Sequence, residues 1–146
     1  MTITKDEFSV STDREKLDLV FLHGFLSKEA YWCLNIPFDR VKRSVENSLN
    51  FGLYHKDRQV GYARVITDYS TIAYLGDVFV IPEYRGKGLS KWLLQQVMDH
   101  PDLQGLRRWL LLTADAHELY KKFGWQPVVK PERYMELFNP DVYKGG

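Results

Sequence analysis

The stretch of residues 74–100 constrains the fold of this chain more than any other part of the sequence. It begins with an apolar, β-branched run, residues 75–81, which has the length and composition of a buried strand. Pro82 ends that strand because proline has no N–H to donate to a neighbouring strand. A basic glycine-rich turn, residues 85–88, follows, and from Leu89 onwards the apolar residues recur with the spacing of an amphipathic helix. The sequence therefore predicts a strand, a glycine-rich turn and a helix in immediate succession.

The glycine-rich turn has the features of a phosphate-binding site. Gly86 and Gly88 let the backbone turn tightly and approach a ligand, and the first N–H groups of the helix have no partner inside it. The positive end of the helix, Arg85 and Lys87 all favour an anion. A Walker loop is excluded because Gly-Lys is followed by glycine rather than Ser or Thr. The dinucleotide fingerprint is excluded because Lys91 occupies the place of its third glycine.

Two segments carry a resemblance to a known family. Residues 85–90, RGKGLS, resemble the Arg/Gln-x-x-Gly-x-Gly/Ala pyrophosphate loop of the GNAT superfamily, with Ser90 in place of the usual Gly or Ala. Residues 116–125, AHELYKKFGW, resemble the Ala-x-x-Leu-Tyr-x-Lys-x-Gly-Phe signature of the same superfamily. Because two such segments in the right order are more specific than either alone, the chain is identified as a member of the acyl-coenzyme-A-dependent N-acetyltransferases. The resemblance covers roughly residues 50–130.

The resemblance and the sequence pattern together give an expected fold of the α/β (α+β) class. We expect one domain over residues 1–146, with a mixed, mostly antiparallel sheet of about six or seven strands and about four helices. The sheet is expected to splay between its fourth and fifth strands. A first helix is expected after a cap at Thr12 or Asp13, and Asp115 is expected to cap the helix that contains Tyr120. The expected strands are residues 8–10, 49–55, 60–67, 72–81, 109–113, 125–129 and 134–138.

The resemblance implies acetyl-CoA as co-substrate and no metal. The pyrophosphate would lie on the glycine-rich turn, and pantetheine would add along the fourth strand like a further strand. Backbone N–H groups near Phe79 and Val80 would stabilise the oxyanion of acyl transfer. Thr113 stands where many members of the superfamily have Asn. The expected cofactor-binding residues are Val78, Phe79, Val80, Arg85, Gly86, Lys87, Gly88, Leu89, Ser90 and Thr113.

For the chemistry, the resemblance points to Tyr120 as general acid, since a phenol with a pKa of about 10 still holds its proton at neutral pH. Asp77 is the one charge in an otherwise apolar strand, so it needs a partner or an open cleft. It is either an ion-pair partner, for example of Arg64, or an acceptor-binding carboxylate or general base. Tyr31 and Trp32 either pack in the core or line the acceptor pocket, and Arg64 either forms a salt bridge or belongs to that pocket.

Composition narrows the classes of function. A formal net charge of +1 without a long basic block argues against a nucleic-acid partner. No apolar run has membrane-spanning length, and the single cysteine, Cys33, excludes an internal disulfide and fits the cytoplasm. We expect an N-acetyltransferase that moves acetyl from acetyl-CoA to a small-molecule or peptide amine by direct attack in a ternary complex. A non-catalytic acyl-CoA sensor, an interaction module of the same fold and a homodimer stay open.

Overall fold

The structure, a computed structural model, describes residues 1–144. Its six strands form one open sheet in the order β1-β2-β3-β4-β5-β6. Neighbouring strands are antiparallel except β5 and β6, which are parallel. This arrangement confirms the expected mixed, mostly antiparallel α/β sheet. The strands are β1 (Thr2–Lys5), β2 (Phe8–Ser11), β3 (Leu49–His55), β4 (Arg58–Thr67), β5 (Ile72–Val80) and β6 (Arg108–Leu111). The helices are α1 (Leu19–Lys28), α2 (Phe38–Glu46), α3 (Leu89–Asp99) and α4 (His117–Lys121).

Helix α1 begins later than the sequence suggests. Asp13 caps only a short 3-10 turn, Arg14–Lys16, by accepting a hydrogen bond from the Glu15 N–H at 3.0 Å. The cap of α1 itself is Asp18, whose carboxylate accepts from the Phe21 N–H at 3.0 Å. Both aspartates satisfy an N–H that the turn or helix leaves without an internal partner. The expected Asp13 cap is therefore real, but it belongs to the turn before the helix.

Helices cover both faces of the sheet and create two apolar clusters. Helix α3 buries Leu93 and Val97 against one face, and α1 and α2 bury a second set of apolar side chains against the other. Strand β5 serves both clusters because successive side chains of a strand point to opposite faces. Val80 packs in the first cluster, and Phe79 stacks on Phe25 of α1 at 3.8 Å between ring centroids. None of the helices in residues 1–144 is long and apolar enough to cross a membrane.

Two expectations about the end of the chain are wrong. The predicted strands 125–129 and 134–138 are not formed; beyond Trp125 the described chain has only a 3-10 turn, Pro131–Arg133. A strand needs a partner for its backbone groups, and no strand among residues 1–144 pairs with this segment. The cap of α4 is not Asp115 either, because Ala116 is the cap residue and the Thr113 hydroxyl accepts the Ala116 N–H at 3.0 Å. Strand β1, which is exposed along its whole length, was not predicted.

Candidate active site

The site lies where β5 and β6 separate. The two strands are paired from Ile72 opposite Arg108 to Leu75 opposite Leu111, and there the pairing stops. Strand β5 continues to Val80 and keeps β4 as its neighbour on one side only. This opening is the splay expected between the fourth and fifth strands of the sequence analysis, which are β5 and β6 here because β1 was not counted. A strip of β5 backbone is therefore left facing a cleft.

The direction of the backbone groups in the cleft follows from one hydrogen bond. The Ile81 N–H donates to the Val60 carbonyl at 2.9 Å, so the backbone at Ile81 faces β4. Because backbone groups alternate along a strand, Phe79 also faces β4, whereas Val80 and Val78 face the cleft. The Arg85 Nε–H already donates to the Val80 carbonyl at 2.8 Å. Val78 and Val80 are thus the β5 residues whose N–H groups a ligand in the cleft can reach.

A β-bulge places Asp77 at this opening. Tyr62 pairs with Phe79 and Arg64 pairs with Gly76, so β5 has one residue more than β4 in this interval. Asp77 absorbs the extra residue with a φ of 53°, a left-handed conformation that aspartate tolerates better than most residues. The bulge interrupts the regular ladder next to the splay. It accounts for a carboxylate in a strand that otherwise reads as apolar.

The Asp77 carboxylate is engaged on both of its oxygens. Oδ2 accepts from the Arg64 Nε–H at 2.8 Å, and Oδ1 accepts from the Trp32 indole N–H at 2.8 Å. Arg64 also donates to the Ser48 hydroxyl at 3.1 Å. The side chains of Arg64 and Asp77 are only 17% and 12% exposed, so the pair is nearly closed to solvent. The structure thus confirms the ion pair. A role of Asp77 as base or acceptor ligand stays a prediction, and it would require Arg64 or Trp32 to release the carboxylate.

Sequence reasoning missed Ser48, because no local pattern marks it as a partner of Arg64.

Tyr31 and Trp32 join the two sides of the cleft. They form a 3-10 turn, Tyr31–Cys33, and their side chains are 57% and 44% exposed, which rules out core packing. Trp32 reaches Asp77 on β5, and the Tyr31 hydroxyl accepts from the Ala114 N–H at 3.1 Å just beyond β6. Their rings meet edge to face at 5.1 Å. The turn therefore spans the splay at one end.

The glycine-rich turn fits a phosphate group. Gly86 and Gly88 have φ values of +78° and +76°, and a Cβ atom built at either would meet no atom within 4 Å. Gly88 is also the cap residue of α3 and contributes no side-chain cap to it. The N–H groups at the start of α3 are therefore free to bind an anion in open space. Lys87 lies beside them, with Nζ 5.9 Å from the centre of the Tyr84 ring.

Tyr120 is buried on α4, with 8% of its surface exposed. Burial, and to a lesser extent the neighbouring Tyr31 phenol, raises the pKa of Tyr120 to about 12. The hydroxyl therefore keeps its proton throughout the neutral range. Its ring lies 6.0 Å from that of Trp125, and Thr113 supports the same helix through the Ala116 N–H. The part of the chain that the structure describes holds no cluster of three metal-ligating side chains.

The comparisons with known proteins all indicate similarity to acetyltransferases. The model of the acetyltransferase (GNAT) family matches residues 15–125. A protein of Gibberella zeae named as a candidate acetyltransferase is 34% identical, with 82% of this chain and 78% of that protein covered. A Xanthomonas campestris pv. campestris crystal structure named as a candidate GNAT acetyltransferase is 50% identical, with a TM-score of 0.92 over 94% of this chain and 96% of that one. A candidate acetyltransferase of Clostridium acetobutylicum, solved with acetyl-CoA, shares the fold at 14% identity, with a TM-score of 0.67 over 94% and 96% of the two chains.

Proposed function

Because the chain belongs to the acetyltransferase (GNAT) family, we propose that it is a cytoplasmic N-acetyltransferase that moves the acetyl group of acetyl-CoA to a primary amine. The transfer is direct, with both substrates bound in one ternary complex. The observation that carries the proposal is the uncapped start of α3 behind two left-handed glycines, at the open end of a sheet that splays between β5 and β6. An anion site and a strip of free strand backbone are adjacent there. The anion site suits the pyrophosphate of coenzyme A, and the strand backbone suits its pantetheine arm.

The cofactor is held along two elements. The N–H groups of residues 86–90 bind the pyrophosphate, and Arg85 and Lys87 add positive charge. Val78 and Val80 offer the backbone groups to which pantetheine adds as a strand would. In this assignment Phe79 acts through its side chain, which fixes β5 against α1, because its own backbone faces β4. The Thr113 hydroxyl is already used at the start of α4, so only its backbone is available to the cofactor.

The residues around the thioester hold protons and charge. Acetyl-CoA supplies an activated acetyl group, whose carbonyl carbon is attacked by the amine while the sulfur departs. One of the two cleft-facing N–H groups, that of Val78 or that of Val80, donates to the carbonyl oxygen as negative charge develops on it, and the other is left to pantetheine. Tyr120 holds at its Oη the proton that the sulfur needs, and its raised pKa of about 12 keeps that proton in place until the C–S bond breaks. The proton lost by the amine passes to solvent or to a base among Asp77, Glu83 acting through water, and a histidine.

The acceptor enters from the other end of the cleft. There the turn of Tyr31 and Trp32 joins β5 to the loop after β6, and both rings are exposed. Aromatic faces of this kind bind the apolar or cationic part of an amine. Arg64 is committed to Asp77, so the pair presents little net charge to the acceptor. The acceptor is a small molecule or a peptide amine.

A matched pair of glycine variants tests the cofactor site. Gly88 and Gly105 both have a φ of +76°, and a Cβ atom added at either meets no atom within 4 Å. Gly88→Asp and Gly105→Asp therefore carry the same backbone cost of about 1 kcal/mol and the same charge. Only Gly88→Asp puts that charge where the pyrophosphate binds, so we expect calorimetry to give at least a tenfold loss of coenzyme A affinity for this variant alone. Unchanged affinity in Gly88→Asp would place the cofactor elsewhere.

Thiol release from acetyl-CoA, measured over a panel of primary amines, then separates an enzyme from a sensor. An N-acetyltransferase releases coenzyme A in step with an acetylated amine. A sensor binds coenzyme A through Gly88 and releases no thiol with any amine. An interaction module with the same fold would show neither activity nor binding.

A further inference from the structure

The turn that precedes the glycine-rich loop is joined to two strands that do not border the cleft. Tyr84 ends the 3-10 turn Pro82–Tyr84, and Arg85 follows it directly. The Tyr84 hydroxyl lies 2.8 Å from Nδ1 of His55, the last residue of β3. Nε2 of the same ring lies 2.9 Å from the carboxylate of Glu7, which is in the turn between β1 and β2. These three side chains form one chain of hydrogen bonds, which we call the Tyr84 network.

The Glu7 carboxylate sets the direction of these hydrogen bonds. The hydrogen bond from His55, and next the charge of Lys56, lower the pKa of Glu7, so its carboxylate is ionised at neutral pH and can only accept. Nε2 of His55 must therefore carry a hydrogen. A neutral ring then presents Nδ1 as an acceptor to the Tyr84 O–H. Glu7 thus acts on Tyr84 through the tautomer of His55.

Two adjacent hairpin turns support the network. Phe8 pairs with His55 across β2 and β3, and their rings stack at 4.8 Å between centroids. The Lys56 N–H donates to the Glu7 carbonyl at 2.9 Å, which joins the turn after β3 to the turn between β1 and β2. Phe8 also meets Tyr84 edge to face at 6.1 Å. The Tyr84 ring is therefore held both by its hydroxyl and by a neighbouring aromatic ring.

The Tyr84 ring is also in contact with a cation of the glycine-rich turn. Nζ of Lys87 lies 5.9 Å from the ring centre, and the guanidinium carbon of Arg58 lies 5.8 Å from it. An aromatic ring attracts a cation over its face within about 6 Å. Lys87 stands between Gly86 and Gly88, which allow many backbone conformations. The position of its ammonium group therefore depends on side-chain contacts such as the one with Tyr84.

We propose that Glu7, His55 and Tyr84 are positioning residues for the cofactor, which hold the turn before the glycine-rich loop, and Lys87 with it, in the place where the pyrophosphate of coenzyme A binds. The inference rests on the proposed cofactor site and adds that its affinity depends on residues of the first three strands and their turns. A ligand that meets an ordered loop loses less entropy on binding than one that must order the loop itself. The network supplies that order before the cofactor arrives.

Tyr84→Phe tests the network, because it removes the hydroxyl and keeps the ring beside Phe8 and Lys87. One neutral hydrogen bond changes an equilibrium constant by about three- to tenfold, so we expect calorimetry to give a coenzyme A dissociation constant raised by that factor. The KM for acetyl-CoA should rise with it, while kcat stays unchanged. Tyr69→Phe is the matched control. Tyr69 is 51% exposed in the turn before β5, at the opposite end of that strand, and its variant should bind coenzyme A as wild type does.

A truncated substrate separates positioning of the pyrophosphate from a general loosening of the fold. S-acetylpantetheine carries the thioester but ends before the pyrophosphate, so Tyr84→Phe should leave its kcat/KM unchanged. Glu7→Ala should lower coenzyme A affinity as Tyr84→Phe does. Because 61% of the Glu7 side chain is exposed, its removal leaves the core intact. Glu7→Gln keeps an oxygen that can accept from Nε2–H of His55, so it should recover most of the affinity.

The Gly88→Asp variant distinguishes failure of this inference from failure of the proposed function. If Gly88→Asp loses coenzyme A affinity and Tyr84→Phe does not, the role of the network is overturned and the cofactor site stands. If neither variant loses affinity, both are overturned. An equal loss of kcat/KM with acetyl-CoA and S-acetylpantetheine in Tyr84→Phe would also overturn the inference, because the effect would not act through the pyrophosphate.

Discussion

Replacing Asp77 by asparagine removes one charge from a pair that is almost closed to solvent, and the cost can be worked out from the geometry. Arg64 Nε and Asp77 Oδ2 are 2.8 Å apart, and the side chains are 17% and 12% exposed. Removing one partner of a buried pair typically costs about 3–5 kcal/mol, because the other charge is left uncompensated. Arg64 keeps its bond to Ser48, so we expect the lower end, about 3 kcal/mol. Asparagine suits the left-handed conformation at φ 53° as well as aspartate does, so the backbone contributes little.

A double-mutant cycle isolates the pair. Arg64→Met keeps most of the apolar stem of the side chain and removes its charged group, leaving the Asp77 carboxylate with only the Trp32 indole. The double variant should lose less stability than the two single variants summed, with a coupling free energy of about 1–3 kcal/mol. Urea unfolding followed by tryptophan fluorescence gives each free energy, provided that the m-value is the same in all four proteins.

An exposed pair of the same type is the control. Arg58 and Glu83 lie 3.2 Å apart with side chains 55% and 65% exposed, and a cycle on this pair should couple by less than about 1 kcal/mol. If the Arg64 and Asp77 variants are additive within about 0.5 kcal/mol, the argument from burial is refuted. Kinetics of the folded Asp77→Asn variant then address the separate question of catalysis. A loss in kcat or a rise in acceptor KM, at constant coenzyme A affinity, would give Asp77 a role beyond the pair.

Two further predictions follow from buried titratable groups. Tyr120→Phe should lower kcat by about 10²- to 10⁴-fold while leaving coenzyme A affinity unchanged. Its control is Tyr54→Phe, which removes a buried hydroxyl that has no partner among the described residues and should leave kcat intact. A Tyr120→Phe variant with the kcat of wild type would show that Tyr120 only packs in the core. Burial lowers the pKa of His100 in the folded chain, so the unfolded chain binds the proton more readily, and stability should fall as the pH drops through 6.5. The control is His100→Asn, whose side chain still offers an acceptor to the Asp102 N–H but does not titrate near this pH. If the unfolding free energy of this variant falls with pH as much as that of wild type, another group is responsible.

The parts of the site predicted from sequence are those built from neighbouring residues. The glycine-rich turn needed only left-handed glycines and a helix that begins directly after them, and both are written within residues 85–90. The splay was predicted because the two motifs resemble those of the GNAT superfamily and occur in the same order along the chain. Tyr120 was placed on a helix face with an apolar environment, and its burial agrees. Such features can be predicted because the groups that form them are neighbours in the sequence.

The contacts that define the acceptor end were not predictable in the same way. Trp32 and Asp77 are 45 residues apart in sequence, and Tyr31 and Ala114 are 83 apart. The sequence left Asp77 open between an ion pair and a base, since its partner depends on a bulge that no local pattern announces. Thr113 shows the same difficulty at short range. Thr113 and Asp115 both precede α4, and only the path of the backbone decides that the Thr113 hydroxyl accepts the Ala116 N–H while the helix has no side-chain cap.

The larger errors in the fold concern strands, whereas the errors about helices concern only where a helix begins and which residue caps it. The reason is physical. A helix satisfies its backbone groups within one continuous segment, so its sequence is nearly sufficient to place it. A strand satisfies them only against another segment, so a β-forming sequence predicts a need for a partner rather than the partner itself. Thr2–Lys5 has a weak pattern and forms a strand because β2 offers an edge. Residues 134–138 have a strong pattern and form none, because no strand among residues 1–144 pairs with them. The mismatch between pattern and pairing at 134–138 therefore follows from the need of a strand for a paired segment, which residues 1–144 do not supply there.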